Sequence, residues 1–259
     1  MIIETHCHLD YLKALPFEEI LERSREAGVQ KFITISVDPQ NMDAVEKLAA
    51  QEKQIYFTQG IHPHDAKDFT ETERNKIISR AQNPKMVAVG EIGLDYHYNN
   101  SPRDVQLKVF EEQLQLAVDH DLPVVIHTRE ADEDTQSILS NFSNRLKRKG
   151  VLHSFTSGKA LAEWALNDGY YLGFNGIITF KNAVNVQEIV GITPLDQTLL
   201  ETDSPFLTPV PHRGKENAPF YLPHIAQKIA DLKGLAVEQV LEAAFKNSFS
   251  CFPKLKNEN

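Results

Sequence analysis

Eight short apolar runs, each followed by a longer amphipathic stretch, recur along nearly the whole chain. They are MIIETH at the start, KFITISV (31–37), QIYFTQGIH (54–62), MVAVGEIG (86–93), LPVVIHT (122–128), GVLHSF (150–155), GYYLGFNG (169–176) and QTLLETD (197–203). Runs of this length suit buried strands better than helices. Between them a three-and-four spacing takes over: Phe17, Ile20, Leu21 and Ser24, then Phe110, Leu114 and Ala117. The last helix keeps it through Val237, Val240, Leu241, Ala244, Phe245 and Ser248. Pro102, in SPRDVQ, suits a helix's first turn. Strands interleaved with helices, without a linker or a break in composition, point to a closed parallel (β/α)₈ TIM barrel of the α/β class. A doubly wound open sheet would want a glycine-rich phosphate turn after an early strand. GEIGLD has two glycines but lies mid-chain and lacks the third. The 259 residues fit one barrel of about 250. We expect a single domain over 1–252 and a frayed tail over 253–259.

Composition narrows the setting. No stretch approaches the ~20 apolar residues that span a bilayer, so no membrane partner is expected. MIIETHCHLD has no basic segment leading into an apolar run, unlike a signal peptide. Cys7 and Cys251 are too few for a disulfide framework, and a cytoplasmic location is expected. The net charge of −9 argues against tight, non-specific duplex binding, which rests on basic surfaces. An acidic chain can still act on nucleic acid if bound cations supply the positive charge.

Chemistry in such a barrel sits where strands end. His6 and His8 close the first run, His62 and His64 the third, Glu91 the fourth, His127 the fifth, His153 the sixth and Asp203 the eighth. Strand side chains alternate with period two, so His6 and His8 share a face while Cys7 turns toward the helices. That makes Cys7 a poor ligand. An isolated His-x-His is more often a satisfied core pair. Four strand-end imidazoles and two carboxylates at one mouth would be costly to bury without a cation. His6, His8, Glu91, His127, His153 and Asp203 are therefore the candidate ligands.

The ordered set ETHCHLD, GIHPH, VGEIGLDYH, LPVVIHTREADEDT, LHSFTSG, LLETDSPFLTP and RGKENAPFYLP resembles the TatD family of metal-dependent DNases, among the amidohydrolase-like hydrolases. In the last motif Arg213, Gly214, Asn217 and Pro219 fit an Arg-Gly-x-x-Asn-x-Pro pattern. The resemblance implies two divalent ions, one held by His6, His8, Glu91 and Asp203, the other by Glu91, His127 and His153, with Glu91 bridging. The residues alone do not divide the six between two ions. The implied reaction is phosphodiester hydrolysis by a hydroxide shared between the ions, on DNA single strands or 3′ ends. Glu91 and Asp203 are the catalytic candidates, Asp203 orienting or deprotonating the water. Imidazole-rich sites favour zinc or manganese over magnesium, yet family members are often assayed with magnesium, so the ion is open. Many members carry Asp where this chain has Glu4; we read Glu4 as a supporting or core residue.

His62 and His64, stiffened by Pro63, suit substrate better than metal. Arg129 offers a phosphate clamp, with an ion pair to Glu130 or Asp132 as the competing role. Arg213 and Asn217, on a proline-rich loop, are candidates for the leaving nucleotide. Asp95, Tyr96 and His97 follow the fourth strand, where an aromatic could stack on a base. Glu201 belongs to the inner network rather than to catalysis. The basic run RLKRK (145–149) ends the helix before the sixth strand, on the face opposite the mouth. We expect a monomer. The alternatives are a small-molecule amide or ester hydrolase, which the same ligands serve, and a metal-binding protein without turnover, against which a complete ligand set argues.

Overall fold

In the computed structural model, which describes residues 1–255, each apolar run contains a strand that pairs in parallel with its neighbour in sequence. The strands are β1 (Ile2–Cys7), β2 (Val29–Thr34), β3 (Ile55–Gln59), β4 (Met86–Asp95), β5 (Val124–Arg129), β6 (Gly150–Leu152), β7 (Tyr171–Phe174) and β8 (Thr198–Leu200). Parallel neighbours need crossovers, supplied by α1 (Phe17–Glu26), α2 (Met42–Gln51), α3 (Glu71–Arg80), α4 (Arg103–Asp119), α5 (Asp132–Phe142), α6 (Lys159–Asn167) and α7 (Val184–Ile192). Two further helices follow, α8 (Leu222–Lys233) and α9 (Val237–Cys251). The ends of the sheet meet where Asp203 N donates to His6 O (2.9 Å) and His8 N to Ser204 O (2.8 Å), closing the (β/α)₈ barrel.

Local chemistry sets the helix ends. At α3 the Thr70 hydroxyl accepts from Thr72 N, and Glu73 reaches back to Thr70 N. Pro102 stands just before α4. Gly234 ends α8 at φ 65°, in the left-handed region. Among the described residues, no helix is long and apolar enough to cross a membrane.

Two apolar layers hold the barrel. The outer one packs Phe32, Phe57, Val89, Ile126 and Leu172 against helix residues such as Leu21, Met42, Phe110 and Leu114. The inner one gathers Ile3, Ile33, Tyr56, Val87, Val125, Val151 and Leu199. Its floor comes from the end of α9, where Cys251, Phe252 and Leu255 join the same cluster. This corrects part of the expected frayed tail. Leu255 is buried and its N–H donates to Phe252 O at 2.9 Å, while Lys254 Nζ caps Ala81 O at 2.6 Å. The rest of that tail, 256–259, lies outside the described residues.

Strand lengths also depart from the apolar runs. Regular pairing in β3 and β8 stops before His62 and Asp203, so both stand on loops, whereas β4 continues past Glu91 to Asp95. Backbone bonds still pin the loop residues: His62 N donates to Val37 O (2.7 Å) and His153 N to Ile126 O (3.0 Å). RLKRK lies in the turn after α5, which ends at Phe142. Arg148 pairs with Asp121 and Lys149 with Asp168, just before β6 begins and away from the mouth.

Phe252 is fully buried in the inner layer, so Phe252→Ala should cost about 3–5 kcal/mol of folding stability. Urea denaturation of the two proteins measures this.

Candidate metal centre

Strand β1 places its two histidines through an irregularity. Ile3 packs in the inner layer and Cys7 in the outer one, so the alternation slips once between them. Past the slip it holds as expected. His6 and His8 face the mouth, and Cys7 Sγ lies 3.5 Å from Ile33 O. The slip also gives Glu4 its partners. Its Oε1 accepts from His6 N (3.1 Å) and Thr202 N (2.9 Å), joining β1 to the segment after β8. Burial, opposed by these bonds, pushes Glu4 up to about 8.

Glu91 occupies the middle of the mouth, 2% exposed. Its two oxygens face different neighbours. Oε2 lies 3.4 Å from His6 Nε2. Oε1 lies 2.7 Å from His153 Nε2, 3.1 Å from His127 Nδ1 and 3.4 Å from His62 Nε2. Asp203 Oδ1 stands 3.5 Å from His8 Nε2 and 3.7 Å from His6 Nε2. Among the described residues, three sets have ligand atoms close enough to share a cation: His6, His8 and Asp203; His6, His153 and Glu201; His62, Glu91 and His127.

The chemistry of this set fits divalent cations. His6 Nε2, buried between two carboxylates, has no hydrogen-bond partner. Burial and the adjacent His153 lower His6 to about 4, so its lone pair is free at neutral pH. Burial alone would raise Glu91, but the surrounding imidazoles, His153 foremost, hold it well below the usual carboxylate range. Asp203 is lowered against its burial by His8 and His6. A neutral His6 beside ionised carboxylates suits a divalent ion, while His8 and His127, both raised against their burial by carboxylate neighbours, would have to give up a proton to ligate one.

The other candidates divide. His62, expected with the substrate, lies beside Glu91 and His127, its Nε2 3.4 Å from Glu91 Oε1. His64 stays at the rim, its Nε2 3.0 Å from Asp95 Oδ2. Arg129 lines the mouth with its guanidinium 4.8 Å from the centre of the Tyr98 ring. The competing partner Glu130 is taken by His97, 2.7 Å away. Arg213 is exposed, packs on the Phe180 ring at 3.9 Å, donates to Thr208 O and is not among the cavity-lining residues. Asn217 corrects its expectation. It is fully buried, donates to Thr202 O and Phe206 O and accepts from Ala218 N, so it secures the loop instead of meeting substrate. Tyr96 is likewise engaged, under Arg103 at 4.2 Å with its hydroxyl on Asp134.

Asp95 has a larger part than its sequence position suggested. It is fully buried, and its Oδ2 lies 3.0 Å from both His127 Nε2 and His64 Nε2. Burial would raise this carboxylate, but the two imidazoles drive it far down. It thus orients His127 toward Glu91 as an outer carboxylate orients a ligating histidine. Period two from Glu91 places Asp95 on the same face, which was the available signal. Glu201 is buried, accepts from Ser154 N and is raised by burial and by Asp203. Gly173 makes room for it: a Cβ there would stand 2.2 Å from Glu201 Oε2.

A family model described as TatD related DNase matches residues 3–253. The uncharacterized metal-dependent hydrolase YabD of Bacillus subtilis is 37% identical, over 97% of this chain and 99% of its own length. The 3′-5′ ssDNA/RNA exonuclease TatD of Erwinia tasmaniensis is 35% identical, over 87% of this chain and 91% of its own. The crystal structure of YJJV, a TatD homolog from Escherichia coli, superposes with a TM-score of 0.91 at 30% identity, covering 97% of this chain and 98% of that one.

His6→Ala and His8→Ala should each lower the metal content measured by elemental analysis, whereas Cys7→Ser should not. Equal loss in all three would contradict the facing described above. Burial pulls His127 down, but hydrogen bonds to Asp95 and Glu91 carry it up from 6.5 to about 9. In metal-free protein its pairing therefore contributes stability that is complete below about pH 6.5 and is lost as pH rises through about 9. The urea midpoint should fall across that window, and Asp95→Asn should flatten the fall.

Proposed function

The chain belongs to the TatD-related DNase family of metal-dependent hydrolases, and from that premise we propose that it hydrolyses phosphodiester bonds in single-stranded DNA or at 3′ ends. The observation that carries the reading is Glu91, whose two oxygens face two separate ligand sets across one carboxylate. We assign His6, His8, Glu91 and Asp203 to one divalent ion and Glu91, His127 and His153 to a second, with zinc, manganese and magnesium as the candidates. Bound there, such ions lower the pKa of water and neutralise charge developing on a phosphate.

The chain's own groups do the rest. Asp203 is the more accessible central carboxylate, its side chain 13% exposed against 3% for Glu91. It orients the attacking water and takes its proton, and His8 beside it shares that charge. Arg129, a fixed cation at the rim, holds a phosphate oxygen. His64 stands at the same rim, steadied by Asp95.

The net charge of −9 leaves little to attract an intact duplex, whereas a cavity of about 790 Å³ admits an unpaired end. A nuclease-named relative at 35% identity supports the same substrate class. The candidate ligands all lie on this one chain, so the proposed centre needs no residue from a second copy.

End-labelled single-stranded DNA, a duplex and a lactone should be compared side by side. Turnover of the single strand, abolished by chelator and lowered roughly 10²–10⁴-fold by Asp203→Ala, supports the proposal. Lactone turnover with DNA left intact would assign the chain to small-molecule ester hydrolysis. Stoichiometric metal without turnover on any substrate would make it a binding protein.

A further inference from the structure

Six large hydrophobic residues are more than 40% exposed among those described, and only two are aromatic: Tyr98 at 56% and Phe206 at 53%. Both line the cavity above Glu91. The remaining four, Met1, Val184, Ile192 and Val210, are aliphatic and do not line it. The loop after β4 carries Tyr98 and the loop after β8 carries Phe206. In a ring of eight strands in chain order, these two strands are four places apart, so the aromatics stand on opposite rims.

Each ring is anchored to the centre. Phe206 N donates to Asp203 O at 2.9 Å, its carbonyl accepts from Asn217, and its ring meets His8 edge-on with centroids 6.1 Å apart. Tyr98 N donates to Asp95 Oδ1 at 3.0 Å, and its ring meets His64 edge-on at 5.3 Å. Tyr98 also carries the Arg129 guanidinium 4.8 Å from its ring centre and meets His97 edge-on, yet about half of Tyr98 and of Phe206 stays exposed over the mouth. A ring exposed at a cavity rim suits a ligand that offers a flat apolar face.

We propose that the two nucleosides flanking the scissile phosphate are splayed apart, one base stacking on Phe206 and the other on Tyr98. The inference rests on the phosphodiesterase reading above and names its substrate unit, an unpaired dinucleotide step. Stacking on aromatic platforms accepts any base, because every base has a π face. A duplex is disfavoured because its bases would first have to be unpaired and unstacked.

The test uses the metal-loaded protein and single-stranded DNA labelled at its 5′ end. Phe206→Ala and Tyr98→Ala should each lower kcat/KM roughly five- to a hundred-fold. The same strand with one tetrahydrofuran abasic unit, placed on either side of the cleaved phosphate, should lose that sensitivity to within about twofold, each variant answering to one of the two positions. Phe206→Trp and Tyr98→Phe, which keep a platform, should retain wild-type rates. If the alanine losses are equal on normal and abasic strands, the rings act on the centre's geometry and the inference falls. If wild type cleaves the strand and the alanine variants match it, the inference alone falls. If wild type cleaves no strand at all, the phosphodiesterase reading falls and takes the inference with it.

Discussion

The structure is organised around one buried carboxylate. Glu91 sits in the barrel mouth among the imidazoles of His6, His62, His127 and His153. A charge this deep is tolerated only with opposite charge and hydrogen bonds around it. That requirement accounts for the imidazoles gathered on it and for Asp95, which holds His127 in place from behind. The opposite end of the barrel follows another rule. There the inner layer is built of apolar side chains and finished by Cys251 at the end of α9 and by Phe252 and Leu255 just beyond it. One fold thus holds an apolar floor and a polar mouth a few residues apart.

The barrel was legible in sequence because both of its signals are local. A strand's apolar run and a helix's three-and-four spacing need only a few neighbouring residues. The same locality let alternation turn Cys7 away from His6 and His8, which the structure reproduces past the slip in β1. What stayed hidden depends on contacts between distant segments. Asp95 looked like loop because the apolar run stops before it, yet pairing with β5 carries the strand on through that residue. Asn217 resembled a rim residue, but its donors are spent on backbone carbonyls of its own folded loop. His62 was placed with substrate because six ligands seemed sufficient, and only the bend after β3 shows its ring turned to Glu91.

The loop after β8 shows how few contacts can stiffen a long connection. Asn217 closes it internally, and Glu216 accepts from Lys13 N and Ala14 N across the rim. Asp203 and Phe206 share a tight turn at its start. The carboxylate proposed to orient water and the ring proposed to stack a base are thus tied by one backbone hydrogen bond.

The floor built by α9 has a consequence for synthesis. The strand made first, β1, completes its side of the barrel only against the segment after β8, and the inner layer closes only over Phe252 and Leu255. Everything from β1 to Leu255 must be made before that layer is sealed. Until then the half-built barrel presents apolar surface open to misassociation, and a lesion at Phe252 or Leu255 would be felt by the first strand, whose Ile3 shares their cluster.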